Sequence, residues 1–158
     1  MLGKVLKLYI APPKSSGVRL EQKSLQLKEG SGIVGDKFAN KDLEKTVMIV
    51  GLKPYNMAKE INIDLPESAL GENILLNFDP HTLNIGDKIE IGETILEITQ
   101  NCTLCKHLSK YSSKLPKLIV KHRGVYCKIL KGGQITNNDS VNLIKQEEIA
   151  WEELFYYY

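Results

Sequence analysis

Cys102 and Cys105 stand as Cys-x-x-Cys within Gln100-Asn101-Cys102-Thr103-Leu104-Cys105-Lys106-His107. That spacing suits a redox disulfide, half of a zinc site, or a reactive thiolate whose acidity rises at a helix N-terminus. A thioredoxin-type redox pair needs a surrounding βαβ pattern, and the strands read below are antiparallel instead. Structural zinc takes four ligands, and only Cys127, His81, His107 and His122 remain to complete a set. Cys127 lies in an alternating apolar run and reads as a core residue. Lys106, His107, Lys110 and Arg123 are cations that would favour a Cys105 thiolate if the fold brings them close. Cys102 suits either a resolving thiol or plain packing.

Three further groups could carry chemistry. Gly32-Ile33-Val34-Gly35-Asp36-Lys37 can be read as a β turn or as a loop presenting backbone N–H groups to an anion, although it lacks the P-loop order. In Gly71-Glu72-Asn73, Glu72 is either a solvated turn charge or a partner that orients a neighbouring loop. Arg123, before Gly124, suits bidentate binding of phosphate or carboxylate, or a surface charge at a strand start.

The elements that must position these residues are short. Val5 to Ile10 reads as a strand stopped by Pro12-Pro13, and Ser24 to Lys28 alternates as a half-buried strand. Thr46 to Val50 is β-branched and apolar enough for a buried strand, and Tyr55 to Ile61 is helical after Pro54. Glu72 to Phe78 is a further strand candidate. Lys88 to Ile91 and Thr94 to Ile98 flank Gly92-Glu93, the signature of a hairpin with a type II′ turn. The cysteines follow that hairpin at a strand-to-helix junction, with Thr103 or a neighbour as cap. Gly124 to Leu130 and Val141 to Ile144 read as a second antiparallel pair turning through Gly132-Gly133, and Gln146 to Tyr158 reads as a helical, aromatic tail. Many short strands with glycine turns point to an all-β barrel or sandwich.

The chain has 158 residues, 42% hydrophobic and 25% charged, which matches one globular domain without a disulfide or metal staple. With 21 basic and 19 acidic residues the net charge is +2, a bias too small to indicate a nucleic-acid or membrane partner, and neither is expected. No apolar run approaches the roughly 18–20 residues that span a bilayer. The N-terminus alternates charge with apolar residues and lacks the form of a secretory signal, so the cytoplasm is the expected compartment. An odd cysteine count fits that reducing setting, and no disulfide is expected.

In order along the chain, Gly32 to Asp36, Gly71-Glu72-Asn73, Ile85-Gly86-Asp87 through Thr99-Gln100, Cys105, Arg123 to Tyr126, and Gly133 to Asp139 resemble the signature of the MOSC family. That family takes its name from the C-terminal domain of molybdenum cofactor sulfurases. The resemblance covers about residues 4–145 of a single domain, 1–158, with 146–158 as a tail. It implies a mainly β, MOSC-type β-barrel with a few short helices.

The resemblance also implies a ligand, the molybdenum cofactor (a pterin dithiolene bearing a phosphate), or sulfur carried as a cysteine persulfide. One cysteine serves both, and its position here is Cys105, as catalytic residue and metal ligand, with Leu104 where a proline is usual. Gly32, Gly35, Asp36, Lys37, Lys45, Glu72, Asn73 and Arg123 are the implied cofactor-binding residues. The sequence departs further from the family pattern where Lys37-Phe38 replaces an Arg-His pair and where Lys45 replaces an arginine. The implied reaction is reduction of N-hydroxylated compounds, with a separate electron donor protein because the chain adds no module for that purpose. The alternatives are a sulfur carrier loaded by a pyridoxal-phosphate desulfurase, and a structural zinc or binding module using Cys102, Cys105 and a histidine.

Overall fold

The structure, a computed structural model, describes residues 1–14 and 19–145. The expected helix over 146–158 lies outside the described residues. The strands are β1 (Gly3–Ile10), β2 (Leu20–Gln22), β3 (Ser24–Lys28), β4 (Gly32–Ile33), β5 (Val47–Gly51), β6 (Ile74–Leu76), β7 (Lys88–Ile91), β8 (Thr94–Asn101), β9 (Val125–Lys131), β10 (Gly133–Thr136) and β11 (Ser140–Ile144). Two short α-helices, α1 (Lys53–Glu60) and α2 (Leu115–Ile119), and a few 3-10 turns complete the described residues.

Seven strands close on themselves in the order β11-β7-β8-β9-β5-β6-β1, with β1 pairing back to β11. The fold is thus mainly β and a closed barrel, as expected. β2 extends the sheet beside β1, and β10, β3 and β4 form a separate three-stranded sheet. Closure removes the exposed strand edges that a flat sheet would leave.

The β7–β8 hairpin has the expected register, with Ile91 opposite Thr94 and Lys88 opposite Glu97. Gly92 has φ +56° while Glu93 stays at negative φ, the sign pattern of a type II′ turn. α1 begins with Pro54 in its first turn, where the missing N–H costs nothing.

β5 is buried along its whole length because both its faces are covered. Val47 and Ile49 point into the barrel with Val5, Leu8, Ile89, Leu96, Ile98 and Cys127. Met48 and Val50 point outward into a second apolar cluster with Ala58, Leu70, Cys102, Cys105, Leu108, Leu115 and Ile119. This outer cluster seats α1, α2 and the cysteine segment on the barrel wall.

Three expectations are corrected. Gly124 to Leu130 does not pair with Val141 to Ile144: β9 pairs with β8 and β5, and β11 pairs with β7 and β1. Alternation reports which face is buried and not which strand lies alongside. The strand read from Glu72 to Phe78 narrows to β6, although the Asn73 backbone still bonds to Met48 and Tyr9 on either side. The 3-10 turn Lys106–Lys110 is preceded by Cys105 and has no side-chain cap, so Thr103 does not cap it. No helix among the described residues is long and apolar enough to cross a membrane.

Gly124 sits where β9 meets β5, at φ +130°. A Cβ there would lie 2.6 Å from Met48 Cε and 2.8 Å from Val50 Cγ2. Gly124→Ala is expected to cost about 2–4 kcal/mol, from overpacking added to left-handed strain. Gly30→Ala, at φ +74° in open space, pays only backbone strain, about 1 kcal/mol. Urea unfolding midpoints compare the two, and equal losses would refute the packing argument.

Candidate functional site

A cleft of about 470 Å3 opens outside the barrel, over the outward face of β5. Phe38, Lys41, Asp42, Lys45 and Thr46 line it from the segment before β5, and Ser68 to Gly71 with Asn73 from the segment before β6. Leu104, His107, Lys110 and Tyr111 come from the cysteine segment, joined by Arg19, Met48, Arg123 and Tyr126. Five permanent cations face one carboxylate, Asp42, whose Oδ1 already accepts from the Glu44 N–H at 3.1 Å. The cleft is therefore an anion-attracting cavity.

The chain has only two arginines among its 21 basic residues, and both line this cleft. Arg123 is buried, at 3% exposure. Its Nη1 donates to the Leu70 carbonyl at 2.6 Å and its Nε to the Leu104 carbonyl at 3.2 Å, so it ties two loops of the wall together. The surface-charge reading of Arg123 is excluded by that burial. Arg19 packs over the Phe38 ring at 5.4 Å, and a Cβ on Gly71 would come within 3.1 Å of its Nη2.

Cys105 is 7% exposed, next to the lining residue Leu104. Burial pushes its thiol pKa up, and the neighbouring Arg123 guanidinium pulls the other way. The sequence expectation of a thiolate favoured by four cations is corrected on both counts. Arg123 is the one of the four that favours ionisation, and desolvation outweighs it. Cys102 is 1% exposed, and its Sγ lies 3.5 Å from the Tyr126 hydroxyl, whose pKa is pushed up to about 12 chiefly by burial. Cys127 is fully buried in the barrel, and all three thiols are free.

The other expected residues divide into wall and support. Lys45 and Asn73 line the cleft, and Lys45 also lies 5.6 Å from the centre of the Tyr126 ring. Asn73 accepts from the Met48 N–H at 2.9 Å and donates to the Tyr9 carbonyl at 3.3 Å, stitching β5 to β1. Glu72 is fully buried and accepts from the Tyr55 hydroxyl at 2.6 Å, so it is no solvated turn charge. Gly32, Gly35, Asp36 and Lys37 do not line the cleft. The N–H groups of Val34, Asp36 and Lys37 donate to the carbonyls of Gln26, Ile33 and Ala11, which corrects the anion-loop reading and makes this a turn. Asp36 is buried and accepts from the Ala11 N–H at 2.7 Å, with Arg19 4.0 Å away.

Sequence reasoning missed Arg19 and Lys41, and it gave Tyr126, which closes the Arg123 to Tyr126 block, no role of its own. The rarity of arginine was a usable signal for Arg19, whereas Lys41 carries no local mark. Phe38 lies near three cations, Arg19, Lys37 and Lys41. No group of three or more His, Cys, Asp or Glu side chains placed to hold a metal occurs among the described residues, so a zinc module has no ligand set there.

The MOSC domain family profile matches residues 34–142, a span that includes β5, the cysteine segment and Arg123. The chain belongs to the MOSC domain family. Solved structures share the fold of this MOSC protein. The YuaD protein from Bacillus subtilis is 20% identical with a TM-score of 0.72, over 89% of this chain and 94% of that one. YiiM from Geobacillus stearothermophilus is 16% identical with a TM-score of 0.68, over 90% of this chain and 75% of that one. YiiM from Escherichia coli is 16% identical with a TM-score of 0.63, over 90% and 70%. No curated relative matches the MOSC chain.

Next to Arg123, the Gly124 N–H donates to His81 Nε2 at 2.9 Å, which requires that nitrogen to be unprotonated. Burial lowers the His81 pKa from its ordinary 6.5, so the folded state resists protonation there. Stability is then complete above that value and falls as pH drops below it, because the unfolded chain takes the proton first. His81→Gln keeps an acceptor but cannot titrate. Urea midpoints measured across the mildly acidic range should fall less steeply in that variant, and parallel curves would refute the assignment.

Proposed function

We propose that this MOSC domain binds the molybdenum cofactor in the cleft and that Cys105 is the residue that holds its metal. The supporting observation is the gathering of both arginines, with Lys41, Lys45 and Lys110, around a cavity that adjoins a buried thiol. The residues fit the group. A thiolate suits a soft metal centre, a cationic wall suits a phosphate, and the volume is within the range of small-molecule sites. Phe38, Tyr111 and Tyr126 give the wall aromatic faces for a planar ring system.

When bound, the cofactor supplies two-electron redox chemistry at the metal, read here as reduction of N-hydroxylated compounds with a separate electron donor. The chain's own residues do the rest. Arg19, Lys45 and Arg123 take the anionic groups, and the forked guanidinium of an arginine matches phosphate oxygens better than a lysine does. Arg123 offsets the burial that disfavours a Cys105 thiolate. Glu72 and Asn73 hold the backbone before β6, and Gly32, Gly35, Asp36 and Lys37 shape the turn whose continuation brings Phe38, Lys41 and Lys45 to the wall.

The test is elemental analysis and intact mass of protein purified anaerobically from a host that makes the cofactor. Near-stoichiometric molybdenum is expected, falling by about tenfold or more in Cys105→Ser. Absence of molybdenum with a Cys105-dependent gain of one sulfur would replace this reading with a persulfide carrier served by a desulfurase. Zinc retained in both proteins, without either signal, would overturn both.

A further inference from the structure

Residues 146–158 include Glu147, Glu148, Glu152 and Glu153 and no lysine or arginine, together with Trp151, Leu154, Phe155 and three tyrosines. That segment holds a charge of −4 and the 145 residues before it hold +6, which together make the +2 of the chain. The five cations and single carboxylate of the cleft account for most of that excess. Lys41, Lys45 and Lys110 stand exposed at its rim, and among the described residues none of the three pairs with a carboxylate. Phe38 and Leu104 add exposed apolar surface to the same mouth.

Strand register puts that rim within the segment's reach. Ile144 stands opposite Lys88, Lys88 opposite Glu97, and Glu97 opposite Lys128, whose neighbour Cys127 faces Val47 at the start of β5. From Ile144 to β5 is therefore four strand spacings, about 19 Å. β11 and β8 both run antiparallel to β7, so the chain leaves Ile144 toward the end where β8 hands over to the cysteine segment. The thirteen residues of 146–158 cover about 20 Å at helical rise and about 43–47 Å fully extended, and either form reaches the rim. The charges along the way are spent on one another: Lys88 lies 3.9 Å from Glu97, and Lys128 lies 3.1 Å from Glu97 and 3.7 Å from Glu44. Glu44 adjoins Lys45, the first cation of the rim.

We propose that residues 146–158 dock on the cleft of their own chain, with Glu152 and Glu153 on the rim lysines and Leu154 and Phe155 on Phe38 and Leu104, so that an anionic ligand must displace them. Tethering makes weak contacts sufficient, because a linked segment sits at an effective concentration on the order of millimolar. The affinity of the cleft for its ligand is then set by a competition within the chain. The inference rests on the cationic character of the cleft and not on which anion the cleft serves.

The chain has a single tryptophan, Trp151, so its emission reports on this segment alone. Full-length wild type is compared with a segment variant carrying Glu148→Gln, Glu152→Gln and Glu153→Gln. A net-charge control carries Glu29→Gln, Glu60→Gln and Glu90→Gln, at exposed positions outside the cleft. The measurements are calorimetric affinity for inorganic pyrophosphate, acrylamide quenching of Trp151, and carbodiimide coupling of carboxylates to lysines followed by peptide mapping. In wild type, coupling is expected to join the segment to Lys41, Lys45 or Lys110 within a monomer, and saturating pyrophosphate to suppress that coupling and raise the quenching. The segment variant is expected to show the raised quenching from the start and to bind pyrophosphate about tenfold more tightly, as a site closed about nine-tenths of the time would when freed. The control stays near wild type. Segment coupling only to other lysines or only in a dimer band, a Trp151 unmoved by bound pyrophosphate, or a control that gains as much affinity as the segment variant overturns the proposal. If no protein binds pyrophosphate while coupling to the rim holds and quenching rises with salt and in the segment variant, the docking stands and the anionic ligand of the proposed function falls.

Discussion

Burial of β5 on both faces is the constraint on which the rest of the molecule depends. Its inward residues complete the barrel, and its outward Met48 and Val50 seed the second cluster. Without that outer apolar face, the cysteine segment and the two helices would have nothing to pack on. The same strand holds the wall on its other sides, since β9 delivers Arg123 and Tyr126 along one edge and β6 delivers Gly71 to Asn73 along the other. The parallel pairing of β5 with β6 has a direct consequence: both strands begin at the cleft end, so the segments preceding each converge there.

The cleft works by opposing burial to charge. Cys105, Glu72, Tyr55 and Tyr126 are all desolvated, and each is pushed toward its neutral form. Arg123 and Arg19 supply the counter-field, in a setting where water screens little. A buried guanidinium is tolerable only when its donors are satisfied, and the Leu70 and Leu104 carbonyls meet part of that need for Arg123. The residue that provides charge to the site is therefore also the one that holds its two walls together. Mechanical and electrostatic roles cannot be separated at that position, whereas at Lys45 and Lys110, both exposed at the rim, charge is the larger part.

Three residues at the cleft mouth set its local chemistry. Phe38 cannot ionise, but its ring face lies near Arg19, Lys37 and Lys41, so the rim keeps a positive character. Lys45 brings a point charge, and Arg19 offers a planar fork at the same cleft. Leu104, before the thiol, is 65% exposed and leaves an apolar residue at the mouth.

Period and turn chemistry made much of the barrel legible in the sequence. The β7–β8 hairpin, α1 behind Pro54, the buried β5 and the core position of Cys127 follow from local patterns, because each depends on residues close in the chain. The ordered blocks likewise singled out Cys105, Asn73 and Arg123. Strand partners could not be read this way, since alternation reports a face and closing a barrel depends on contacts distant in sequence. Whether Gly32 to Lys37 presents its N–H groups, whether Glu72 meets water, and which way the Cys105 thiol is pushed were likewise decided only by the tertiary structure. The physical reason is common to all three: hydrogen-bond satisfaction and desolvation are properties of a surrounding volume, and that volume is built from segments that the sequence keeps apart.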